Sequence, residues 1–302
     1  MTVADVRSIY SRTLPKFEYV EAKTVAEACS LLTKYGGKAK VIAGGTDLLV
    51  SMRNRKVTPQ YIVNIRTIPN LDYIRYTDVE GLRIGALTTL DSIEGSPIIR
   101  ERFSIVAHAA CQIGQPQIRN WATIGGNLCN ATPSADMAPP LIGLGARAKI
   151  EDINGERVLP LEEFFVGPGI SALRTGEILT EIQIPTPALY TRGVYLKIPA
   201  RTMIDIAVVG VAVVLTLDSE YANIMDAKIV LGAVAPTPMR ARKTEEVIRG
   251  KVIEEGLIEK AAQTAAREAR PISDVRGSAN YRKELVRVLT NGAIRQAIGS
   301  TS

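Results

Sequence analysis

The stretch Val41-Ile42-Ala43-Gly44-Gly45-Thr46-Asp47-Leu48 runs from apolar residues through two adjacent glycines into a candidate helix start. Glycine reaches positive φ without a Cβ clash and lets main-chain N–H groups approach a phosphate closely. A helix opening at Asp47, with Leu48, Leu49 and Met52 along one face, adds a favourable partial charge for an anion at its start. Thr46 can donate a hydroxyl. Turns of this kind also serve purely structural ends, so this one alone leaves ligand binding and simple chain reversal both open.

Upstream, Phe17 to Val20 reads as a strand, and Thr24 opens a helix with Glu27 three residues on in capping-box register. Gly36-Gly37 ends that helix, and Ala39 to Ala43 is the buried strand feeding the turn. Downstream, strands are predicted at Tyr61 to Asn64, Leu71 to Tyr76 and Leu82 to Ala86. Helical spacing predicts one helix over Ile98 to Ile113, with Pro97 ahead of its start. A loop, Gly114 to Asn130, follows, then a short interrupted helix across Asp136 to Leu144. Asn154-Gly155 between Lys149 to Asp152 and Arg157 to Leu159 is a hairpin signal, and Glu177 to Ile184 is a further strand.

Pro185-Thr186-Pro187 breaks the pattern and marks a domain boundary. Beyond it three apolar strands (Gly193 to Ile198, Ile206 to Leu217, Ala227 to Val234) precede three helices (Thr244 to Arg249, Ile253 to Arg270, Ala279 to Ile298). Strands first and helices afterwards predicts an α+β module with its helices on one sheet face. The expected domains are 12–186 and 190–298.

The 302 residues are 46% hydrophobic and 23% charged, which allows a sizeable core and excludes disordered and fibrous classes. A net charge of +6 suits an anionic ligand or an acidic partner, and no Lys/Arg run is long enough for a nucleic-acid patch. Ile206 to Leu217, the longest apolar stretch, falls short of the roughly 20 residues of a spanning helix. Met1 to Ser11 has no apolar signal-like core, so a cytoplasmic protein is expected. Cys29, Cys111 and Cys129 form no Cys-x-x-Cys pair, so no four-thiolate zinc or iron–sulfur site is expected. At least two of them read as small buried hydrophobes. The one histidine, His108, sits among Val106, Ala107, Ala109 and Ala110 and reads as a buried imidazole or a subunit-contact residue rather than a base.

Gly167-Pro168-Gly169-Ile170-Ser171-Ala172 and Gly143-Leu144-Gly145-Ala146-Arg147-Ala148 formally match a dinucleotide fingerprint. Neither runs directly into a helix, as that fingerprint requires, and both read as turns. The second real candidate is Thr123-Ile124-Gly125-Gly126-Asn127, followed by Asn130, Thr132, Ser134 and Asp136. Two glycine pairs in one domain, each flanked by hydroxyl and amide side chains, point to two bends clasping one diphosphate. The pair argues more strongly than either half.

These two stretches, joined by Ile118-Arg119-Asn120 ahead of the second, resemble the FAD-binding subunit of the xanthine dehydrogenase and carbon monoxide dehydrogenase family. The resemblance continues through Tyr195-x-Lys197, Arg201, Asp205, the run Gly232-Ala233-Val234-Ala235-Pro236-Thr237-Pro238 and the Tyr281-Arg282 helix, covering nearly the whole chain. It implies a two-lobed FAD-binding domain of the vanillyl-alcohol-oxidase (PCMH-like) type, then a small three-stranded sheet with helices. It also implies that Val41 to Leu48 wraps the FAD pyrophosphate, with Gly44, Gly45 and Thr46 closest. Thr123 to Asn127 would form the second wall, with Gly114 nearby. Asp136 would contact the ribose and adenosine half, beside the apolar Leu179 and the cationic Lys197. Leu179 is equally readable as strand core, and Lys197 as a solvated strand end.

The family further implies a large molybdopterin-binding partner and a small partner with two [2Fe–2S] clusters, in a dimer of heterotrimers. Electrons would reach this flavin from the clusters and leave to NAD⁺ or another carrier. A single histidine implies that FAD is held non-covalently. The competing reading is a self-sufficient FAD-dependent oxidoreductase acting on its own small substrate, for which the sequence offers no obvious acid–base pair. A flavin-free scaffold would need neither glycine pair.

Overall fold

The computed structural model describes residues 13–201 and 205–299. Met1 to Ser11 and the expected domain start at residue 12 lie outside the described residues.

The strands β1 (Glu18–Glu21), β2 (Ala39–Ile42) and β3 (Tyr61–Asn64) form a parallel sheet in the order β1-β3-β2. Parallel neighbours need a crossover, and the helix Val25–Tyr35 supplies the first. Thr24 caps it by accepting from the Glu27 N–H at 3.1 Å, while the Glu27 carboxylate reaches back to the Lys23 N–H at 2.7 Å. Ala28, Cys29 and Leu32 bury its inner face against Val63 and Ile178. All three strands end at one edge, where open parallel sheets receive ligands. The Gly44-Gly45 turn emerges there beside Ile65, whose N–H donates to Ile42 O at 3.1 Å.

The next strands are β4 (Ile74–Thr77), β5 (Gly81–Gly85), β6 (Arg147–Asp152), β7 (Gly155–Pro160), β8 (Phe165–Gly167), β9 (Ile170–Ser171) and β10 (Ile178–Ile184). Five form an antiparallel sheet in the order β4-β5-β10-β6-β7, with the Asn154-Gly155 hairpin joining β6 to β7. The strands β8 and β9 pair separately across Pro168-Gly169, so that decoy is a hairpin turn. The other decoy leaves the helix Ala138–Gly143 and enters β6.

Two expectations between β5 and β6 are corrected. The single helix over Ile98 to Ile113 is two, Pro97–Arg102 and Ser104–Cys111, parted at Phe103 with φ −135°. Phe103 is buried, and both helices feed the same core, so the apolar period runs through the break unmarked. The loop Gly114 to Asn130 instead holds two short helices, Pro116–Arg119 and Ile124–Cys129. Glycine is a poor helix former, but the tertiary bonds described below override that weak local preference.

The chain then forms an antiparallel meander of β11 (Thr191–Pro199), β12 (Ala207–Leu217) and β13 (Asn223–Gly232). Two short strands, β14 (Met239–Arg240) and β15 (Lys251–Val252), extend the expected three-stranded sheet by pairing with β13. Val209, Val211, Val213 and Leu215 of β12 pack with Ile258 and Ala261 of the helix Glu255–Glu268 and Val286 and Ala293 of the helix Ala279–Ile298. On the other face, Ala212 and Val214 join the core of the preceding sheet and helices. Burial on both faces explains why β12 is continuously apolar rather than alternating. Each fully buried valine there contributes about 1.5–3 kcal/mol.

One further expectation changes. His108 is exposed, which removes the buried-imidazole reading. Cys29 is buried and Cys129 packs against the main core, as expected of two small hydrophobes, while Cys111 is half-buried. Among the described residues, no helix is long and apolar enough to cross a membrane.

Candidate functional site

β2 stops at Ile42, and the chain turns through Ala43, Gly44 and Gly45 before the helix Leu48–Arg53. Gly45 has φ 75°, a left-handed conformation that costs other residues about 1–2 kcal/mol. Gly44 is required for another reason. A Cβ at Gly44 would lie 1.9 Å from the carbonyl oxygen of Trp121. The first glycine stretch therefore rests on the backbone immediately ahead of Thr123, and the two stretches are neighbours in space.

Their chemistry differs. Among the described residues, the amides of Gly44, Gly45, Thr46 and Asp47 donate to no other group. In the second stretch the amides of Ile124 to Asn127 are all committed. Ile124 N donates to Thr88 O at 3.0 Å, Gly125 N to Ala86 O at 2.9 Å and Asn127 N to Thr123 O at 3.0 Å. Gly126 N donates to Thr123 Oγ1 at 3.0 Å. Gly125 is buried with no room for a side chain, since a Cβ would sit 2.6 Å from Ala86 O. Gly126 is exposed and bare. Asn127 Oδ1 is buried and accepts from no donor among the described residues. An unpaired buried acceptor costs about 1–3 kcal/mol, so it is a candidate ligand contact. The free donors therefore come chiefly from the first bend, and the second gives a small-residue wall and one acceptor.

Gly114 has φ 56°, and its carbonyl accepts from Arg119 Nη1 at 2.8 Å. Arg119 is itself buried and donates through Nε to Glu94 at 2.7 Å. Two residues before Gly114, Gln112 O accepts from Lys197 Nζ at 2.9 Å. Lys197 also donates to Asp136 Oδ2 at 2.8 Å, and Tyr195 donates its hydroxyl to Asp136 Oδ1 at 2.6 Å. Strand alternation in β11 puts Tyr195 and Lys197 on one face. Lys197 and Asp136 are 7% and 6% exposed, so Lys197 is not a solvated strand end. Burial pushes the Asp136 carboxyl up, opposed by the Lys197 ammonium and by hydrogen bonds from Lys197 and Tyr195. Burial likewise raises the Tyr195 phenol, and the Asp136 charge adds to it. Leu179 lies in β10 opposite Ile150, within the apolar core.

Sequence reasoning missed three contributors. Tyr195 and Arg119 stood inside quoted motifs without a role. Trp121, the chain's one tryptophan, stands two residues before Thr123; it is exposed, with the Arg66 guanidinium 4.0 Å from its ring centroid.

Residues 15–187 match the FAD binding domain in molybdopterin dehydrogenase, and residues 194–297 the CO dehydrogenase flavoprotein C-terminal domain. The chain is 34% identical over 282 residues to the glyceraldehyde dehydrogenase medium chain of Sulfolobus acidocaldarius, spanning 93% of this chain and 98% of that one. It is 34% identical over 283 residues to the carbon monoxide dehydrogenase medium chain of Hydrogenophaga pseudoflava, spanning 94% and 97%. A solved carbon monoxide dehydrogenase from Hydrogenophaga pseudoflava superposes with a TM-score of 0.91 at 34% identity, over 96% of this chain and 100% of that one. Quinoline 2-oxidoreductase from Pseudomonas putida gives 0.89 at 28% identity, over the same shares. The chain belongs to the FAD-binding medium-subunit family of the xanthine dehydrogenase and carbon monoxide dehydrogenase type, and is an oxidoreductase subunit.

Proposed function

We propose that this chain holds FAD non-covalently and passes electrons between [2Fe–2S] clusters on a small partner subunit and an external acceptor, NAD⁺ or another carrier. The large partner would hold molybdopterin, and the assembly would be a cytoplasmic dimer of heterotrimers. The supporting observation is the row of uncommitted amides from Gly44 to Asp47, backed by Trp121 ahead of the glycine wall. Adjacent N–H donors without intervening side chains suit the oxygens of a diphosphate.

In this reading Val41 to Leu48 wraps the pyrophosphate, and Thr123, Ile124, Gly125, Gly126 and Asn127 close its other side. Asn127 Oδ1 accepts from a cofactor hydroxyl or N–H, and Gly114 lets the backbone come near. Each Asp136 oxygen keeps acceptor capacity after bonding Lys197 or Tyr195, so the carboxylate can also take a ribose hydroxyl. Leu179 gives apolar support from beneath. FAD supplies the redox chemistry when bound; the protein binds, orients and shields it. The FAD-binding domain spans 12–186 and the C-terminal domain 190–298.

The test is purification of the native complex, release of its flavin by denaturation and identification by chromatography. FAD in stoichiometric amount, with flavin bleaching when the complex meets its reducing substrate, is the expected result. A colourless complex overturns the assignment. Steady turnover of the isolated chain with an organic donor would replace it with the self-sufficient flavoenzyme.

A further inference from the structure

The run Gly232-Ala233 at the end of β13 has no assigned role, yet it touches the Asp136 segment on both sides. Ala233 N donates to Pro133 O at 2.7 Å, three residues before Asp136. Gly232 packs on Pro139, three residues after it, and a Cβ at Gly232 would sit 2.9 Å from Pro139 Cγ. Ala233 adopts φ 62°, a left-handed conformation that alanine rarely takes unless its surroundings impose it. The carbonyl of Ala233 is held by Arg282, on the helix Ala279–Ile298. Its side chain is 3% exposed, and it donates from Nη1 to Ala233 O at 3.2 Å and from Nη2 to Asp274 Oδ1 at 2.6 Å. On the following residue, Val234 O accepts from Arg270 N at 2.8 Å.

We propose that Arg282 is a positioning residue for the cofactor site: by clamping Ala233 in its left-handed conformation, it makes Gly232-Ala233 grip the segment that carries Asp136. The C-terminal module thereby sets the placement of a carboxylate belonging to the FAD-binding module. Asp274 anchors the guanidinium and takes no further part. This inference rests on the FAD reading above.

The test measures FAD affinity of the full chain by flavin fluorescence, alongside far-UV circular dichroism of the flavin-free protein. Arg282→Met is expected to weaken FAD binding by roughly tenfold or more while the chain stays folded, the scale of losing one charge-assisted supporting hydrogen bond. Ala233→Gly alone is expected to bind as wild type. In the Arg282→Met background it should restore most of the lost affinity, because glycine holds positive φ without a clamp. A merely structural arginine would lower the melting temperature without an affinity loss that Ala233→Gly repairs. If Arg282→Met does not fold, the same comparison on Arg282→Lys decides. Wild-type affinity in the folded Arg282 variant, or a loss that Ala233→Gly leaves untouched, overturns the proposal alone. A wild-type chain with no affinity for FAD overturns the function reading and this inference with it.

Discussion

The carbonyl oxygen of Trp121 fills the space where a side chain on Gly44 would stand, 1.9 Å from its Cβ. That contact joins two segments far apart in sequence and makes one cradle of them. The turn after β2 cannot move without moving the residues that lead into Thr123. Its amides donate to no other group among the described residues.

The three small residues of the cradle should respond differently to an added methyl. Gly44→Ala must push backbone away and should cost about 1–3 kcal/mol, the range for overpacking. Gly45→Ala meets flexible side chains, Ile42 and Leu49 at 3.2 Å, and should cost about 1–2 kcal/mol through its positive φ. Gly126→Ala meets Thr123 Oγ1 at 3.0 Å and nothing else within 4 Å, so its stability should stay near wild type while FAD affinity falls. Urea unfolding of the three flavin-free variants, with FAD titration of each, checks the order. A Gly44→Ala protein as stable as wild type would remove the Trp121 contact from the account.

Much of this was readable in advance where one local signal decides the outcome. Asn154-Gly155 specifies its hairpin, Thr24 with Glu27 marks a helix start, and the unbroken apolar run of β12 reads as a strand. Phe103 was not readable as a break, because an aromatic residue at an apolar helical position looks the same whether or not the backbone turns there. The Thr123 helix was hidden by its glycines, whose weak propensity is offset by bonds to Thr88 and Ala86 that no local pattern reveals. At the site, the glycine pairs, Asp136 and Lys197 could be picked out singly. Their partners could not, since Tyr195 and Lys197 reach Asp136 only after β11 docks on the preceding module.

The buried pair of Lys197 and Asp136 makes a second prediction. Their side chains are 1% and 7% exposed, so removing either partner leaves the other in a poorly solvated place. Asp136→Asn and Lys197→Met should each cost about 3–5 kcal/mol. The double variant should cost less than the two combined, by about 1–3 kcal/mol, because it strands no charge. Denaturant unfolding of all four proteins at pH 7 gives the coupling directly. Strict additivity would mean that the two groups do not depend on each other in the folded chain.

The third prediction concerns acid. Glu177 is 4% exposed at its side chain and accepts from Arg157 Nε and Nη2, each at 2.7 Å, and from Arg174 N at 2.7 Å. The Arg157 hydrogen bonds hold its carboxyl below the usual range, against burial, with the Arg174 N–H assisting. A carboxylate whose folded pKa lies below its unfolded value, about 4.3 for glutamate, stabilises the protein above that unfolded value. The contribution fades as pH falls through the lower folded pKa. Glu177→Gln should therefore cost about 1.5–3 kcal/mol at pH 7, the range for hydrogen bonds to a charged group. The gap between wild type and variant should hold steady down to about pH 5 and then narrow steadily toward pH 3. Urea midpoints for both proteins across that range give the curve. A gap that stays constant down to pH 3 would show that the Arg157 interaction does not depend on the charge of Glu177.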